Sequence, residues 1–215
     1  MKIEMLTVGP LEENCYLVID ESTNRAILID PGDEPDRIVR AVRESGATLD
    51  AVWLTHAHFD HVGALAGVLR EFPVPVYMHP LDAPLHAQAV DAALRYGIRI
   101  ESPPAPDRQL SEGDRVTVGS EALAVMHVPG HAPGHVVFHN DDVVFGGDCL
   151  FAGSIGRTDF EYGDRETLDA SLARIMELGD DLTVYPGHGR ATTIRAERAT
   201  NPFLLGQARL LRVKR

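Results

Sequence analysis

Thr55-His56-Ala57-His58-Phe59-Asp60-His61 is the stretch on which the reading turns. Three imidazoles and one carboxylate fall within six consecutive positions, directly after the apolar run Ala51-Val52-Trp53-Leu54. Polar groups crowded at the end of a strand-like segment cost burial energy that nothing else in the segment offsets. A metal cation offsets it. Imidazole nitrogen and carboxylate oxygen are ligands that zinc, iron and manganese accept.

Working outward from the heptad, the chain alternates strand and helix signals. Strands are expected at Ile3–Val8, Cys15–Asp20 and Ala26–Asp30, an antiparallel meander with Ser22-Thr23-Asn24 as a turn. Ile38, Val39 and Val42 fall at helical spacing between Pro35 and Glu44, with Gly46 as the stop. The strand Ala51–Leu54 runs into the heptad, and Val62, Leu65, Ala66 and Leu69 make a helical stripe after it. The heptad is therefore expected on a loop between strand end and helix start. A strand at Val74–Met78 and a helix near Pro84–Tyr96 follow, then the Pro-rich connection 102–106. The remainder reads as strands Arg115–Val118, Ala122–Val128, Val136–His139 and Val143–Phe145. A Gly-rich loop, Gly146 to Gly163, comes next, then a helix Arg165–Leu178, a strand Leu182–Tyr185 and a final helix near Ala196–Leu205. The order predicts an α/β class and a sandwich of two mixed sheets inside with helices outside.

Composition sets the limits. The 215 residues suffice for a sizeable core. Apolar content of 44% with 24% charged residues is ordinary for a globular protein. Acidic residues outnumber basic ones 32 to 20, a formal charge of −12, which argues against nucleic acid as a partner because phosphates are held by clustered Lys and Arg. The start, Met1-Lys2-Ile3-Glu4-Met5, has no apolar core of a signal peptide. No stretch reaches the ~20 apolar residues a membrane span needs, so no membrane is expected. Two cysteines, Cys15 and Cys149, are too few for a disulfide framework. A cytoplasmic protein with reduced thiols is the simplest account.

The second half supplies matching groups at strand ends. Val128-Pro129-Gly130-His131, Gly146-Gly147-Asp148 and Tyr185-Pro186-Gly187-His188 each place a metal-compatible side chain after an apolar run, beside glycine or proline. Together with Thr-His-x-His-x-Asp-His, this set resembles the metallo-β-lactamase superfamily. Gly146–Phe160 is similar to the glyoxalase II-like hydrolases, in particular their short bacterial form. The resemblance spans roughly residues 1–205.

The resemblance implies a four-layer αββα fold. One such domain would fill residues 1–215, in two pseudo-repeat halves of about 1–106 and 107–215, without the C-terminal glutathione-binding helices of the longer enzymes. It implies two divalent metal ions, zinc foremost, with iron and manganese as alternatives. His56, His58 and His131 would hold the first, Asp60, His61 and His188 the second, and Asp148 would bridge both. Asp60 and Asp148 are the expected catalytic carboxylates. With neutral histidines, two cations and two carboxylates keep a charge of about +2, suited to generating hydroxide near neutral pH. The expected reaction is hydrolysis of a small-molecule thioester of the S-2-hydroxyacyl-glutathione type, a bridging hydroxide attacking the acyl carbonyl. The Lys and Tyr of longer glyoxalase II loops are replaced by Arg157 and Asp159, which leaves the thiol open. The competing reading is a persulfide dioxygenase of the same superfamily, with one iron on His56, His131 and Asp148. A nuclease and a non-catalytic metal-stabilised module stand further back.

Among the remaining side chains, Arg157 either grips a substrate carboxylate or amide or pairs with Asp159 or Asp164. His135 is expected to support the ligands from behind. His79 is either a rim residue or a plain loop residue, and His86, His127 and His139 belong to surface or strands. Cys149 follows Asp148 and so points the other way, into the core. Cys15 sits in an alternating apolar context and reads as core too.

Overall fold

The computed structural model describes residues 1–208, so residues 209–215, the end of the second expected half, lie outside the described residues. The elements run β1 (Lys2–Val8), β2 (Glu13–Asp20), β3 (Arg25–Ile29), α1 (Pro35–Ser45), β4 (Thr48–Trp53), α2 (Phe59–Val62), α3 (Leu65–Glu71), β5 (Val76–Met78), α4 (Ala83–Arg95) and β6 (Arg108–Gln109). They continue with β7 (Arg115–Val118), β8 (Glu121–His127), β9 (Val136–His139), β10 (Val143–Gly147), β11 (Leu150–Phe151), β12 (Ser154–Ile155), α5 (Arg165–Met176), β13 (Thr183–Pro186), β14 (Thr192–Thr193) and α6 (Ile194–Thr200).

Two six-stranded sheets result. One has the order β1-β2-β3-β4-β5-β6, the other β14-β13-β10-β9-β8-β7. Both are mixed. The β1-β2-β3 meander is antiparallel, while β3, β4, β5 and β6 run parallel to one another. In the second sheet only β10 and β13 pair in parallel.

Alternation explains how strands buried on both faces hold the layers together. On β2, Tyr16 and Val18 enter the core between the sheets, whereas Cys15, Leu17 and Ile19 face the helices outside. On β3, Ile27 and Ile29 point in, and Ala26 and Leu28 point out. The inner core joins these to Val125, Phe138 and Phe145 of the second sheet, with Trp53 and Phe138 in ring contact at 5.2 Å. Ile38, Val39 and Val42 of α1 and Leu65 and Val68 of α3 cover the first sheet. Leu168, Leu172 and Ile175 of α5 cover the second. The result is the expected αββα sandwich.

The departures are local. The helix expected through residues 62–69 is two short ones: Ala64 N–H donates to the Pro31 carbonyl (3.0 Å) and breaks the run between them. The heptad is therefore not wholly a loop. His56 and His58 lie on the loop, but Asp60 and His61 stand on α2. The Gly146–Gly163 stretch is partly ordered: β10 extends to Gly147 and β11 and β12 form a small hairpin. The last helix starts earlier and is shorter than expected, Ile194–Thr200, because the Thr193 hydroxyl caps it by accepting from Ala196 N–H (3.1 Å). No helix among the described residues is long and apolar enough to cross a membrane.

Candidate metal centre

The centre forms where strand ends of both sheets meet. His56 and His58 follow β4, Asp60 and His61 lie on α2, His131 follows β8, Asp148 follows β10 and His188 follows β13. All seven residues expected as ligands converge there. Three three-residue groups have their ligating atoms within 4.8 Å of one another: Asp30, His56 and His61, and the two expected sets, His56, His58 and His131 and Asp60, His61 and His188. Asp148 lies between the two expected sets, 3.4 Å from His61 Nε2, 3.6 Å from His131 Nε2 and 3.5 Å from His188 Nε2.

Hydrogen bonds behind the histidines decide which nitrogen faces inward. His131 Nδ1 donates to the Arg157 carbonyl (2.8 Å), and His188 Nδ1 donates to the Leu11 carbonyl (3.0 Å). His61 Nδ1 donates to Asp30 Oδ2 (3.0 Å). The Thr55 hydroxyl gives its proton to Asp30 (2.6 Å), so His56 Nδ1, 3.0 Å from Thr55 Oγ1, must be the donor in that contact. Four rings thus turn Nε2 toward the centre.

His58 turns Nδ1 inward, 3.0 Å from His56 Nε2 and 2.9 Å from His131 Nε2. One proton on His58 Nδ1 can serve one of those two acceptor nitrogens and leaves the other without a donor. Burial and the neighbouring His131 push His58 down to about 3, so protonation does not resolve the conflict near neutral pH. A divalent cation does. The orphaned buried atoms agree, since His61 Nε2 and Asp148 Oδ1 have no hydrogen-bond partner. The residues present therefore fit the metal ions that the donor set implies.

Electrostatics completes the picture. Burial opposes the charged form of Asp148, but His61, His131 and His188 hold it well below the usual carboxylate range. Burial likewise opposes protonated His61, yet Asp148 and Asp30 hold its pKa well above the ordinary value. Any proton held on His61 Nε2 in the absence of a cation must leave when that nitrogen becomes a ligand. Calorimetric zinc titrations near pH 7, run in two buffers of different ionisation heat, are expected to report net proton release. Heats independent of buffer would contradict this arrangement.

Close backbone approach is required at two glycines. A Cβ on Gly187 would lie 2.2 Å from Asp148 Oδ1 and 2.7 Å from His61 Cε1. Gly147 has φ +47°, and a Cβ there would lie 2.5 Å from Thr55 Oγ1. The Pro-Gly-His and Gly-Gly-Asp spacings thus reflect crowding around Asp148.

Several expectations for the lesser residues are resolved. His135 Nε2 accepts from Asp148 N–H (2.9 Å), which holds the aspartate backbone in place. His79 stacks on His127 at 4.2 Å and belongs to none of these groups. Cys149 and Cys15 are fully buried, and burial pushes both thiols up. Arg157 forms a two-pronged pair with Asp159 (2.7 Å for each bond) and lies 4.0 Å over the Phe160 ring. Asp164 instead caps α5 by accepting from Thr167 N–H (2.7 Å).

Three buried carboxylates escape a motif reading. Asp30 accepts Thr55 N–H (2.7 Å) in addition to the Thr55 hydroxyl and His61. Asp82 accepts Ala57 N–H (2.9 Å) and Gly134 N–H (2.5 Å), tying the His56–His58 loop to the His131–His135 loop. Glu13 is buried with both oxygens unpartnered, 3.7 Å from His61 Nδ1. Asp30-Pro31-Gly32 was the legible signal, because it repeats the pattern of a polar side chain at a strand end beside proline and glycine. A cleft of about 750 Å³ opens over the centre, with His58, Asp60, His131, Asp148, His188 and Arg157 in its lining.

Comparison with known proteins agrees with this geometry. Residues 8–188 match the family model described as the metallo-beta-lactamase superfamily. The chain is 39% identical over 209 residues to the hydroxyacylglutathione hydrolase GloC of Haemophilus influenzae, covering 95% of this chain and 98% of the relative. Among solved structures, TTHA1623 in a di-iron-bound form superimposes with a TM-score of 0.87 at 46% identity, covering 94% of this chain and 100% of the other. The B3 metallo-beta-lactamase BLEG-1 superimposes with a TM-score of 0.88 at 35% identity, covering 94% and 99%. Likeness of this extent in sequence, layer order and clustered histidines has one explanation: the chain belongs to the metallo-beta-lactamase superfamily, an enzyme of that metallo-hydrolase group.

Proposed function

We propose that the chain is a dinuclear metal-dependent hydrolase of thioesters, of the S-2-hydroxyacyl-glutathione type. The observation that carries this reading is Asp148, set between two complete three-residue groups and within 3.6 Å of a histidine from each. His56, His58 and His131 would hold one cation, Asp60, His61 and His188 the other, and Asp148 both. Two divalent cations there, zinc or iron, supply hydroxide near neutral pH and polarise the acyl oxygen. Similarity to a hydroxyacylglutathione hydrolase supports the thioester as substrate.

The chain's own residues do the positioning. Burial opposes charge on Asp60, but the neighbouring His188 and His61 hold its carboxyl below the usual value. Its carboxylate, 3.3 Å from His188 Nε2, is placed to accept a hydrogen bond from the attacking water and aim it. Arg157, over Phe160 in the cleft lining, is a guanidinium available to a substrate carboxylate or amide once it exchanges Asp159 for it. A mononuclear iron oxygenase would need only His56, His131 and Asp148, and would leave Asp60, His61 and His188 without a task.

The deciding measurement is the metal content of protein purified without added metal, paired with a thioester panel. Two cations per chain with thioester turnover is the expected result. One iron per chain with oxygen uptake on persulfides would overturn it. Asp60→Ala is expected to lose the second cation and most hydrolysis, and unchanged turnover would mean a one-metal enzyme.

A further inference from the structure

The geometry points to a bulky apolar acyl group, a medium-chain or aryl acyl thioester, as the preferred substrate of this cleft over a small 2-hydroxyacyl one. The inference rests on the thioester-hydrolase reading and puts an apolar acyl group in place of the 2-hydroxyacyl one.

The first observation is the wall built by α4. Leu85, Gln88, Ala92, Arg95 and Tyr96 recur at helical spacing and all line the cleft. From Leu85 to Tyr96 the helical rise amounts to about 16 Å, far longer than a lactoyl group. Tyr96 continues onto Phe59, ring to ring at 5.3 Å.

The second is that aromatic surface reaches the metal-site histidines themselves. Phe160 meets the rings of His58 at 5.4 Å and His131 at 6.2 Å, and Phe151 meets His188 at 6.2 Å. A carbonyl seated over the centre therefore has aromatic rings against the atoms that flank it.

The third is exposure. Of the seven large apolar side chains left exposed among the described residues, Leu11 (37%), Tyr96 (53%) and Tyr162 (45%) line this cleft. Apolar surface left open to water and gathered around one cavity marks a binding site for an apolar group.

The charges do not favour a highly charged ligand. Arg157 is held by Asp159, and the other ionised groups in the lining outside the centre, Arg95 and Glu161, are of opposite sign.

The test is a series of N-acetylcysteamine thioesters sharing one neutral thiol: lactoyl, butyryl, octanoyl and phenylacetyl. Burial of a methylene is worth about fourfold in binding, so kcat/KM is expected to rise at least about tenfold from lactoyl to octanoyl. Ala92→Trp, which fills the wall, is expected to bring the octanoyl-to-lactoyl ratio toward one. Octanoate binding, followed by calorimetry on the metal-loaded protein, reads the cleft without turnover and should be lost in the same variant. A flat or inverted series, or an unchanged ratio in Ala92→Trp, overturns the inference and leaves thioester hydrolysis standing. Octanoate binding that Ala92→Trp removes, with no thioester turned over, sustains the cleft assignment and removes the hydrolase reading instead.

Discussion

Asp148→Asn is expected to lower thioester turnover about a thousandfold and to reduce the metal held from two cations per chain to one or fewer. The carboxylate lies within reach of inward-facing nitrogens of both histidine sets, and histidines from both sets hold it ionised. An amide of the same shape removes the negative charge and puts a donor N–H where a cation should be. The two cations together contribute several kcal/mol to the transition state, and each 1.36 kcal/mol is a factor of ten in rate. The backbone is undisturbed, because His135 bonds the Asp148 N–H and not the carboxylate. Elemental analysis and steady-state kinetics on the same preparation check this. Asparagine enzyme that keeps two cations and more than a tenth of wild-type turnover would remove Asp148 from the central position.

Asp82→Ala should be costly in a different way. The residue touches no substrate, yet two backbone N–H groups at the centre of the fold depend on it. Leaving both buried donors unpaired costs about 3 kcal/mol near pH 5, or about 6–12 °C in Tm for a chain of this size. Metal affinity should fall about 10–100-fold, since both ligand loops lose their tie. The effect carries a pH signature. Burial pushes Asp82 up to about 6, against a partial offset from its two backbone donors. A carboxyl raised in the folded state contributes stability that is complete below its unfolded pKa and is lost as pH rises through the folded one. The stability gap between wild type and Asp82→Ala should therefore narrow as pH climbs from about 4 to about 6 and change little above that. Urea unfolding at several pH values measures it, and a gap that widens with pH would contradict the assignment.

The layers and the convergence of the candidate ligands were legible because both follow simple rules. Strand alternation separates Tyr16 and Val18 from Leu17 and Ile19, and His131, Asp148 and His188 each follow a strand with glycine beside them, as the heptad follows β4. What was not legible depends on three-dimensional contact. Asp82 lies 25 residues from Ala57 and 52 from Gly134, and nothing in its local sequence announces either bond. Breaking the post-heptad helix into α2 and α3 required the Pro31 carbonyl, which the apolar stripe does not encode. Arg157 was balanced between substrate and a salt bridge, and the structure shows the bridge to Asp159. Its backbone carbonyl, which fixes the His131 tautomer, is invisible to any residue-type argument.

Those fixed tautomers have a consequence for which metal the protein carries. The inward nitrogens of His56, His61, His131 and His188 are selected by Thr55, Asp30, Arg157 and Leu11, so folding itself orders the cage before any ion arrives. A cage preorganised from imidazole and carboxylate, with no soft sulfur donor, accepts several first-row ions by ligand chemistry. Choice among them then passes from the protein to its surroundings, and the occupant follows whichever of these ions is supplied while the chain folds.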